Sequence, residues 1–379
     1  MKKNIVGLGA LALALLSLAA CASDPAESKA SGSLTVDATD SECTVSASTL
    51  EAGPSTFKVT NKGSKVTEFY VYAEGDRIMG EVENVGPGLS RNLVVDLPKG
   101  TYEGACKPGM IGDGIRQTLS VTGEAAKQLS DSAELTAAAD SYARYVKSQS
   151  DALIVKTTEF VDAVKAGNVE EAKTLFPIAR TYWERIEPVA EKFGDLDPIT
   201  DGREPDAIAE GVDFTGWHRI EKQLWVENNT EGMDVYADQL LDNVKQIVAL
   251  GQDAPLTALE LAQGSKGLLD EVATGKITGE EDEFSHTDLW DFKANIEGSQ
   301  AAIASLRPVL EAKDPELVKQ LDTQFAALDV ELNQHQDTTT GDWEFYDKLS
   351  KDQIKALSDA VAALSEPISQ VAAVVAASA

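Results

Sequence analysis

The pattern of hydrophobic and polar positions changes twice along the chain. An unbroken apolar run extends from Ile5 to Leu18, short alternating apolar segments fill residues 33–123, and apolar residues then recur at three- and four-residue spacing. Alternation is typical of strands with one buried face, and the wider spacing is typical of amphipathic helices. The pattern therefore divides the chain into a leader, a β-region and an α-region.

The leader has the features of an export signal. Lys2 and Lys3 precede an apolar run that is too short for an ordinary membrane-spanning helix. The run ends at Ala19-Ala20-Cys21, which resembles a bacterial lipobox; an ordinary cleavage site beside a chance cysteine is the alternative. We predict a signal peptide over 1–20, lipidation at Cys21 and a small, polar, flexible tether over 21–32. The protein is then expected at the cell membrane, lipid-anchored and facing outside the cytoplasm, with its anchor as the one membrane contact.

Residues 33–123 are predicted to form a β-sandwich. Segments such as 56–59, 69–72 and 118–121 are rich in β-branched and aromatic residues. Turn signals such as Gly86-Pro87-Gly88 separate them. Seven or eight short strands in about 90 residues are typical of that architecture.

Residues 124–379 are predicted to form a helical bundle. Leu240, Leu241, Val244, Ile247 and Val248 illustrate the helical spacing. About 250 residues with eight or more helices suit one or two stacked bundles. The expected fold class is thus an α+β multidomain protein, with an N-terminal β-domain followed by an all-α domain.

The charge narrows the possible functions. The formal net charge is −30, which repels nucleic acid and anionic lipid and draws cations toward the surface. We therefore predict no nucleic-acid partner.

The candidate chemistry concentrates in the α-region, where all three histidines lie. His218 and Glu221 are three residues apart, so a helix projects them from one face. An imidazole beside a carboxylate can hold a transition metal. Most His-x-x-Glu pairs have no such role, but Glu184 and Glu187 lie upstream at the same spacing and strengthen the prediction of a bundle metal site.

Four stretches resemble the EfeO-type iron-uptake family, which joins a cupredoxin-like domain to an imelysin-like helical domain. The stretches are YWERIEP (182–188), DLDP with DGRE (195–204), FTGWHRIE (214–221) and FSHTDLWDF (284–292). The resemblance implies capture of ferrous or ferric iron and delivery to a membrane permease, with a peroxidase-like protein as a further partner.

The resemblance also implies site residues. The family's His-x-x-Glu motif maps onto His218 and Glu221, and Glu184 is implied to face the same site. Proximity to the motifs adds Asp197, Asp201 and Glu283 as weaker candidates. Further candidates have alternatives: His286 and Asp288 are either site residues or part of a helix cap, and His335 is predicted to be exposed and inert.

The β-region offers a second possible site. It contains no histidine, which excludes an ordinary blue-copper centre. The resemblance implies an altered site for copper or a second iron, formed by cysteines and carboxylates. Its candidates are Cys43, Glu68, Glu81, Glu83, Cys106 and Met110. The competing interpretation is a plain Cys43–Cys106 disulfide, which would remove both thiolates.

Two other functional classes are alternatives to iron capture. A zinc metallopeptidase normally shows His-Glu-x-x-His, but Lys222 stands four residues after His218, so we predict no enzymatic activity. A polysaccharide-binding protein would need cations to bridge its negative charge to an acidic polymer.

Overall fold

The structure is a computed structural model that describes residues 33–123, 129, 132–189, 196–253 and 255–378. The predicted signal peptide over 1–20, the tether over 21–32 and the lipidation at Cys21 lie outside these residues.

The N-terminal domain is a sandwich of two sheets. Its strands are β1 (Ser33–Ala38), β2 (Cys43–Val45), β3 (Thr49–Glu51), β4 (Gly53–Asn61), β5 (Thr67–Tyr72), β6 (Ile78–Val85), β7 (Ser90–Leu97), β8 (Gly100–Pro108) and β9 (Ile115–Thr122). One sheet has the order β2-β1-β4-β7 and the other β3-β9-β8-β5-β6. β1 runs parallel to β4 and β3 parallel to β9, while the remaining pairs are antiparallel.

Alternating side chains build the sandwich core. Every second residue of β4 is buried, as expected for a strand with one face inside. Phe57 and Phe69 meet between the sheets with ring centroids 5.5 Å apart. β5 differs, because all six of its residues are buried; its outer face, with Glu68 and Tyr70, lines a cleft toward the second domain.

The C-terminal domain is helical. Its helices are α1 (Ala133–Lys165), α2 (Val169–Glu184), α3 (Leu196–Asp201), α4 (Glu204–Glu210), α5 (Gly216–Trp225), α6 (Asp234–Asp253), α7 (Ala258–Thr274), α8 (Asp288–Lys313), α9 (Pro315–Leu332) and α10 (Lys351–Ala376). A single 3₁₀ turn, Lys276–Thr278, follows α7. The predicted α+β class is therefore confirmed.

Two helices explain how the bundle holds polar groups inside. α1 packs against α2, α6 and α8 through a buried apolar stripe. α8 instead buries a polar stripe at helical spacing, formed by Asp288, Asp291, Asn295 and Ser299. Burial of such residues is costly unless they are paired, so this stripe marks the region that carries the chemistry.

The two domains contact each other directly. Val94 of β7 is buried in the helical core, and its carbonyl oxygen accepts a 2.6 Å hydrogen bond from Gln263 Nε2 on α7. Arg91 pairs with Asp270 nearby. These contacts join β7 to α7 beside the cleft.

Among the described helices, α10 has the length and composition to cross a membrane. It packs against α7 and α9, as the core helix of a bundle does, so this feature is weak evidence for a membrane span.

Candidate metal centre

Ten ionisable side chains meet inside the helical domain and form what we call the buried charged cluster. Its members are Arg180, Glu184, Asp201, His218, Glu221, Lys276, Glu281, Asp282, Asp288 and Asp291. They come from α2, α3, α5, α8 and the segment between α7 and α8. Seven carboxyl groups thus face two permanently cationic side chains and one imidazole.

His218 and Glu221 lie side by side on α5, as their spacing predicts. His218 Nδ1 is 2.9 Å from Glu221 Oε2. The other oxygen of Glu221 accepts hydrogen bonds from the backbone nitrogens of Phe284 and Ser285, at 3.0 and 2.7 Å. Glu221 is therefore fixed by two N–H groups and in turn orients the imidazole ring.

The second ring nitrogen of His218 faces two other carboxylates. Nε2 lies 3.3 Å from Asp201 Oδ1 and 3.9 Å from Glu281 Oε1. Neither contact is a hydrogen bond, and Nε2 has no hydrogen-bond partner among the described residues although it is buried. A buried ring nitrogen that makes no hydrogen bond and faces two carboxylate oxygens is a set of donors that suits a metal ion.

A close backbone contact holds α5 against α3. Gly216, the first residue of α5, has φ +75°, and a Cβ placed there would lie 2.0 Å from the carbonyl oxygen of Thr200. Since Thr200 precedes Asp201 and Gly216 lies two residues before His218, this contact fixes the separation of the two side chains.

Arg180 occupies the middle of the cluster and is fully buried. Its Nε donates to Asp291 Oδ2 at 2.8 Å, and its Nη2 donates to Glu184 Oε1 at 2.6 Å and to Glu281 Oε1 at 3.1 Å. Its Nη1 donates to Asp201. One guanidinium therefore joins carboxylates from four segments of the chain.

Lys276 closes the side of the cluster nearest the cleft. Its Nζ donates to Glu184 Oε2 at 2.8 Å and to the two oxygens of Glu187 at 3.1 and 3.0 Å. Asn295 also donates to Glu184 and Glu187. The predicted ligands Glu184 and Glu187 are thus near the site, but both are bonded to an ammonium and an amide.

The pKa values follow from burial and charge. Burial and the Arg180 charge lower the pKa of His218, but the Asp201 and Glu221 carboxylates outweigh them and raise it to about 10. Burial raises the pKa of Asp201, but Arg180 and His218 outweigh it and leave this pKa below its ordinary value. At neutral pH the metal-free protein therefore carries an imidazolium beside a carboxylate.

Other carboxyl groups of the cluster have raised pKa values. Burial raises the pKa of Asp282 and Asp291 well above the ordinary value, despite the opposing charge of Arg180. Burial likewise raises the pKa of Asp288 to about 7. Since a metal ion replaces ligand protons when it binds, these groups can exchange protons for a cation.

Three groups of side chains in the described part of the chain could hold an ion, with ligand atoms within 4.8 Å of one another. The groups are Asp201–His218–Glu281, His218–Glu221–Asp282 and Glu184–Glu281–Asp291. The first two share the histidine, whereas the third consists of carboxylates bonded to Arg180.

A cleft of about 810 Å³ between the domains gives access to the first group. Asp201 and Glu281 line it from the helical side, and Glu68 and Tyr70 line it from the β-domain. Carboxylates on both walls make this cleft a negative environment that favours cations.

The predicted β-domain site is not assembled as expected. Cys43 and Cys106 form a disulfide with a Cα–Cα distance of 5.5 Å, which confirms the disulfide interpretation. The alternative, that the two cysteines are metal ligands, is wrong because neither sulfur is a thiolate. Among the described residues, the β-domain holds no close group of potential ligands like those in the helical domain.

The remaining β-domain candidates all line the interdomain cleft. Met110 is 37% exposed on the loop after β8. Glu68 is buried on the outer face of β5, where burial raises its pKa. Glu81 lies on neighbouring β6, paired in register with Tyr70. The hydroxyl of Tyr70 donates to Glu83 at 3.2 Å.

Sequence reasoning missed several members of the cluster. Glu283 is exposed, while its neighbours Glu281 and Asp282 are buried there. Arg180 and Lys276 were not predicted either. A charged residue at a buried helical position was an available signal for Arg180, since Phe176, Arg180 and Glu184 follow one another at four-residue steps.

The other histidines lie apart from the centre. His286 is half-buried with φ 60° and is in none of the three groups. Thr287 begins α8 without a side-chain cap, but Asp288 accepts a 3.3 Å hydrogen bond from the backbone nitrogen of Asp282. The prediction that His335 is exposed is wrong, because it is 5% exposed and lies 3.4 Å from Glu344.

Comparison with known proteins gives matches across both domains. The family profile described as Imelysin matches residues 138–371, and the profile described as Cupredoxin-like domain matches residues 10–119. A protein of Escherichia coli O157:H7 named "Iron uptake system component EfeO" is 37% identical over 374 residues, which cover 97% of this chain and 96% of that protein. A protein of the same name from Shigella flexneri shows the same identity and coverage. One from Escherichia coli O1:K1 / APEC is 38% identical over 340 residues, or 88% and 89% of the two chains.

Proposed function

The chain belongs to the EfeO family of iron uptake system components, and on that premise we propose that it binds iron outside the cytoplasm and delivers it to a membrane permease. The observation that carries the proposal is the buried Nε2 of His218, which makes no hydrogen bond among the described residues and faces the carboxylates of Asp201 and Glu281.

We place the ion at Nε2 rather than at Nδ1. Nδ1 is engaged by Glu221, whose other oxygen is held by two backbone N–H groups. A ligating histidine commonly uses one nitrogen for the metal and the other for an orienting carboxylate. Asp201 and Glu281 also line the cleft, so an ion can reach them from solvent.

Iron suits this donor set. Carboxylate oxygens with one imidazole favour iron over soft ions that prefer sulfur ligands. The carboxylate oxygens that bond to Arg180 keep a second lone pair for a metal. Glu184 and Glu187 act in this proposal as neighbours of the site, because Lys276 already occupies them.

The remaining expectations form part of the same proposal. Residues 1–20 act as a signal peptide, and lipidated Cys21 with the tether over 21–32 holds domains 33–123 and 124–379 at the outer face of the cell membrane. A permease receives the iron and a peroxidase-like protein takes part in the system. The chain acts without enzymatic activity of its own, since Lys222 stands where a zinc peptidase needs histidine.

An anaerobic titration of ferrous iron, and a separate titration of ferric citrate, test the proposal by calorimetry. We expect His218→Ala to weaken binding by at least about 100-fold and Glu221→Gln, which disturbs the orienting group, by about 10- to 100-fold. His335→Ala is the matched control, because this variant also loses a buried histidine beside a glutamate but lies outside the cluster. Wild-type affinity in His218→Ala would remove the site from the function.

The proposal also includes a second metal ion, bound by the β-domain. Without thiolates it would have to use Glu68 and Glu81 on the cleft face. The double change Glu68→Gln with Glu81→Gln then lowers the metal-to-protein ratio by one while leaving the His218-dependent titration unchanged. An unchanged ratio would exclude this second ion.

A further inference from the structure

We propose that Arg180 is a positioning residue that fills a second potential cation position, and so limits the buried charged cluster to one metal ion. This inference rests on the proposed function and adds to it a residue that sets the number of ions bound. It starts from the third group of potential ligands, Glu184, Glu281 and Asp291, whose oxygens lie within 4.8 Å of one another.

The guanidinium of Arg180 sits on these same three side chains. It donates to Glu184 at 2.6 Å, to Asp291 at 2.8 Å and to Glu281 at 3.1 Å. Oxygens on opposite sides of a bound divalent ion are about 4–5 Å apart, and the ligand atoms of this group all lie within 4.8 Å of one another. The guanidinium therefore occupies space with the dimensions of an ion site.

Unsatisfied oxygen atoms around Arg180 support this view. Within the described residues, Asp291 Oδ1 has no hydrogen-bond partner, and its side chain is fully buried. Asp282 Oδ1 makes no hydrogen bond either and lies 3.4 Å from Arg180 Nε. A buried carboxylate oxygen without a partner is uncommon. Arg180 thus bonds to some of the oxygens of the third group and leaves others without a partner. If the guanidinium were absent, an ion could coordinate these oxygens.

Arg180 also holds ligands of the His218 position. Its Nη1 donates to Asp201, and its Nη2 donates to Glu281, the two carboxylates that face His218 Nε2. These residues lie on α3 and on the segment before α8, so the planar fork of the guanidinium fixes their relative position. A residue that orients two ligands from different segments sets the affinity of the site without touching the ion.

Permanent charge is the reason that an arginine suits this role. A guanidinium keeps its proton in proteins, so Arg180 remains a cation at any pH at which the protein folds. A second metal ion in the third group would have to displace it or lie beside it in a poorly screened interior. The wild-type helical domain therefore accepts one ion, at His218.

The test counts bound ions. Wild type, Arg180→Ala and Arg180→Lys are loaded with Co²⁺, a redox-stable probe, freed of excess metal by gel filtration and analysed for cobalt per chain. We expect Arg180→Ala to hold one ion more than wild type. Arg185→Ala is the matched control: Arg185 follows α2 directly and pairs with half-exposed Glu297, so its loss leaves the ratio unchanged.

Arg180→Lys distinguishes the positioning of Asp201 and Glu281 from the filling of the second cation position. This variant also provides a test of the proposal if Arg180→Ala fails to fold. The lysine keeps one positive charge but offers a single nitrogen instead of a fork, so we expect the wild-type ratio with cobalt affinity reduced about 10- to 100-fold. Wild-type affinity in Arg180→Lys would overturn the positioning role. Absence of a bound ion from the folded double variant His218→Ala with Arg180→Ala would overturn the occupancy role.

The two proposals fail in different ways. If wild type binds no metal in a manner that depends on His218, the proposed function fails whatever Arg180 does. If wild type binds at His218 and the folded double variant holds no ion, the function stands and the inference about Arg180 falls. The double variant His218→Ala with Arg180→Ala is expected to lose the His218 ion and to retain the added one.

Discussion

The two walls of the interdomain cleft both carry carboxylates, but they hold them in different ways. On the β-domain wall, Glu68 faces Lys107 across the register of β5 and β8, and the Lys107 ammonium lies 4.0 Å from the ring centre of Tyr70. On the helical wall, Asp201 and Glu281 continue inward to a cluster assembled from five parts of the chain. The β-domain wall is thus a sheet face that carries individual charged side chains, whereas the helical wall is the edge of the buried charged cluster.

The difference shows what burial adds to an acidic surface. On the β-domain wall, half-buried Lys107 has the Glu68 carboxylate opposite it in the register and the Tyr70 ring as partners, so its loss costs little. A charge inside the bundle depends on its partner, because removing one member leaves the other unpaired in a poorly polarisable medium. The helical wall is therefore the one on which single substitutions should have large effects.

The largest effect is expected from two matched lysine changes. Lys276→Met leaves Glu184 and Glu187 without their ammonium, and we expect the free energy of unfolding to fall by about 3–5 kcal/mol. Lys107→Met removes a cation over Tyr70 on the β-domain wall and should cost about 0.5–1 kcal/mol. Urea unfolding of both variants measures the contrast. Equal losses would mean that the two walls do not differ in this respect.

The next effect concerns the contact between α3 and α5. Gly216→Ala places a methyl group 2.0 Å from the Thr200 carbonyl oxygen at φ +75°, so we expect a loss of about 2–5 kcal/mol and weaker iron binding. Gly211→Ala is the control, since it has φ +71° but no described atom within 4 Å of its added Cβ. It should cost about 1–2 kcal/mol with unchanged iron binding. Iron titration and chemical unfolding of each variant measure this difference, and equal losses in Gly216→Ala and Gly211→Ala would contradict the role of the contact between α3 and α5.

Reduction of the disulfide should act on the β-domain alone. Cleaving Cys43–Cys106, which closes a separation of 63 residues, is expected to lower the stability of the β-domain by about 2–4 kcal/mol. Iron binding at His218 should persist, because the disulfide lies in the core of the sandwich. Thermal unfolding and iron titration with and without a phosphine reductant test this. A tenfold loss of iron affinity on reduction would show instead that the disulfide affects iron binding at His218.

The smallest effect is a pH dependence of the metal-free protein. The pKa of His218 is raised from 6.5 to about 10, so the folded protein binds this proton more tightly than the unfolded chain does. The resulting stability is present below pH 6.5 and is lost as the pH rises toward 10. Between pH 6.5 and about pH 8, the loss from this group is at most about 2 kcal/mol. His218→Gln, unfolded in the presence of a chelator, should show a flatter profile, and an equal slope would contradict the assignment.

Local patterns in the sequence predicted those features of the fold and the site that depend on residues close together in the sequence. Alternation predicted the sandwich, and the three-residue spacing predicted that His218 and Glu221 share one helix face. Asp201 was selected by its position in a motif, and the structure brings it to His218. These features need one element or one motif, which a single sequence contains.

The features that the sequence did not predict depend on contacts between segments that are far apart in the sequence. Glu281 and Asp282 lie in a non-periodic segment, where no rule states which of the four adjacent acidic residues 280–283 are buried. Arg180 reads as an ordinary helix charge until α3 and α8 pack around it. The state of Cys43 and Cys106 likewise required their proximity in space.

The disulfide has a consequence for the competition among metals in the surroundings. With both cysteines of the described chain joined to each other, no thiolate is offered to thiophilic ions such as cuprous copper, cadmium or mercury. Among the described residues, such ions therefore meet oxygen donors and the exposed thioether of Met110 in place of thiolates. In the proposed role of iron binding, the disulfide would thereby keep the two cysteine sulfurs from being occupied by thiophilic ions.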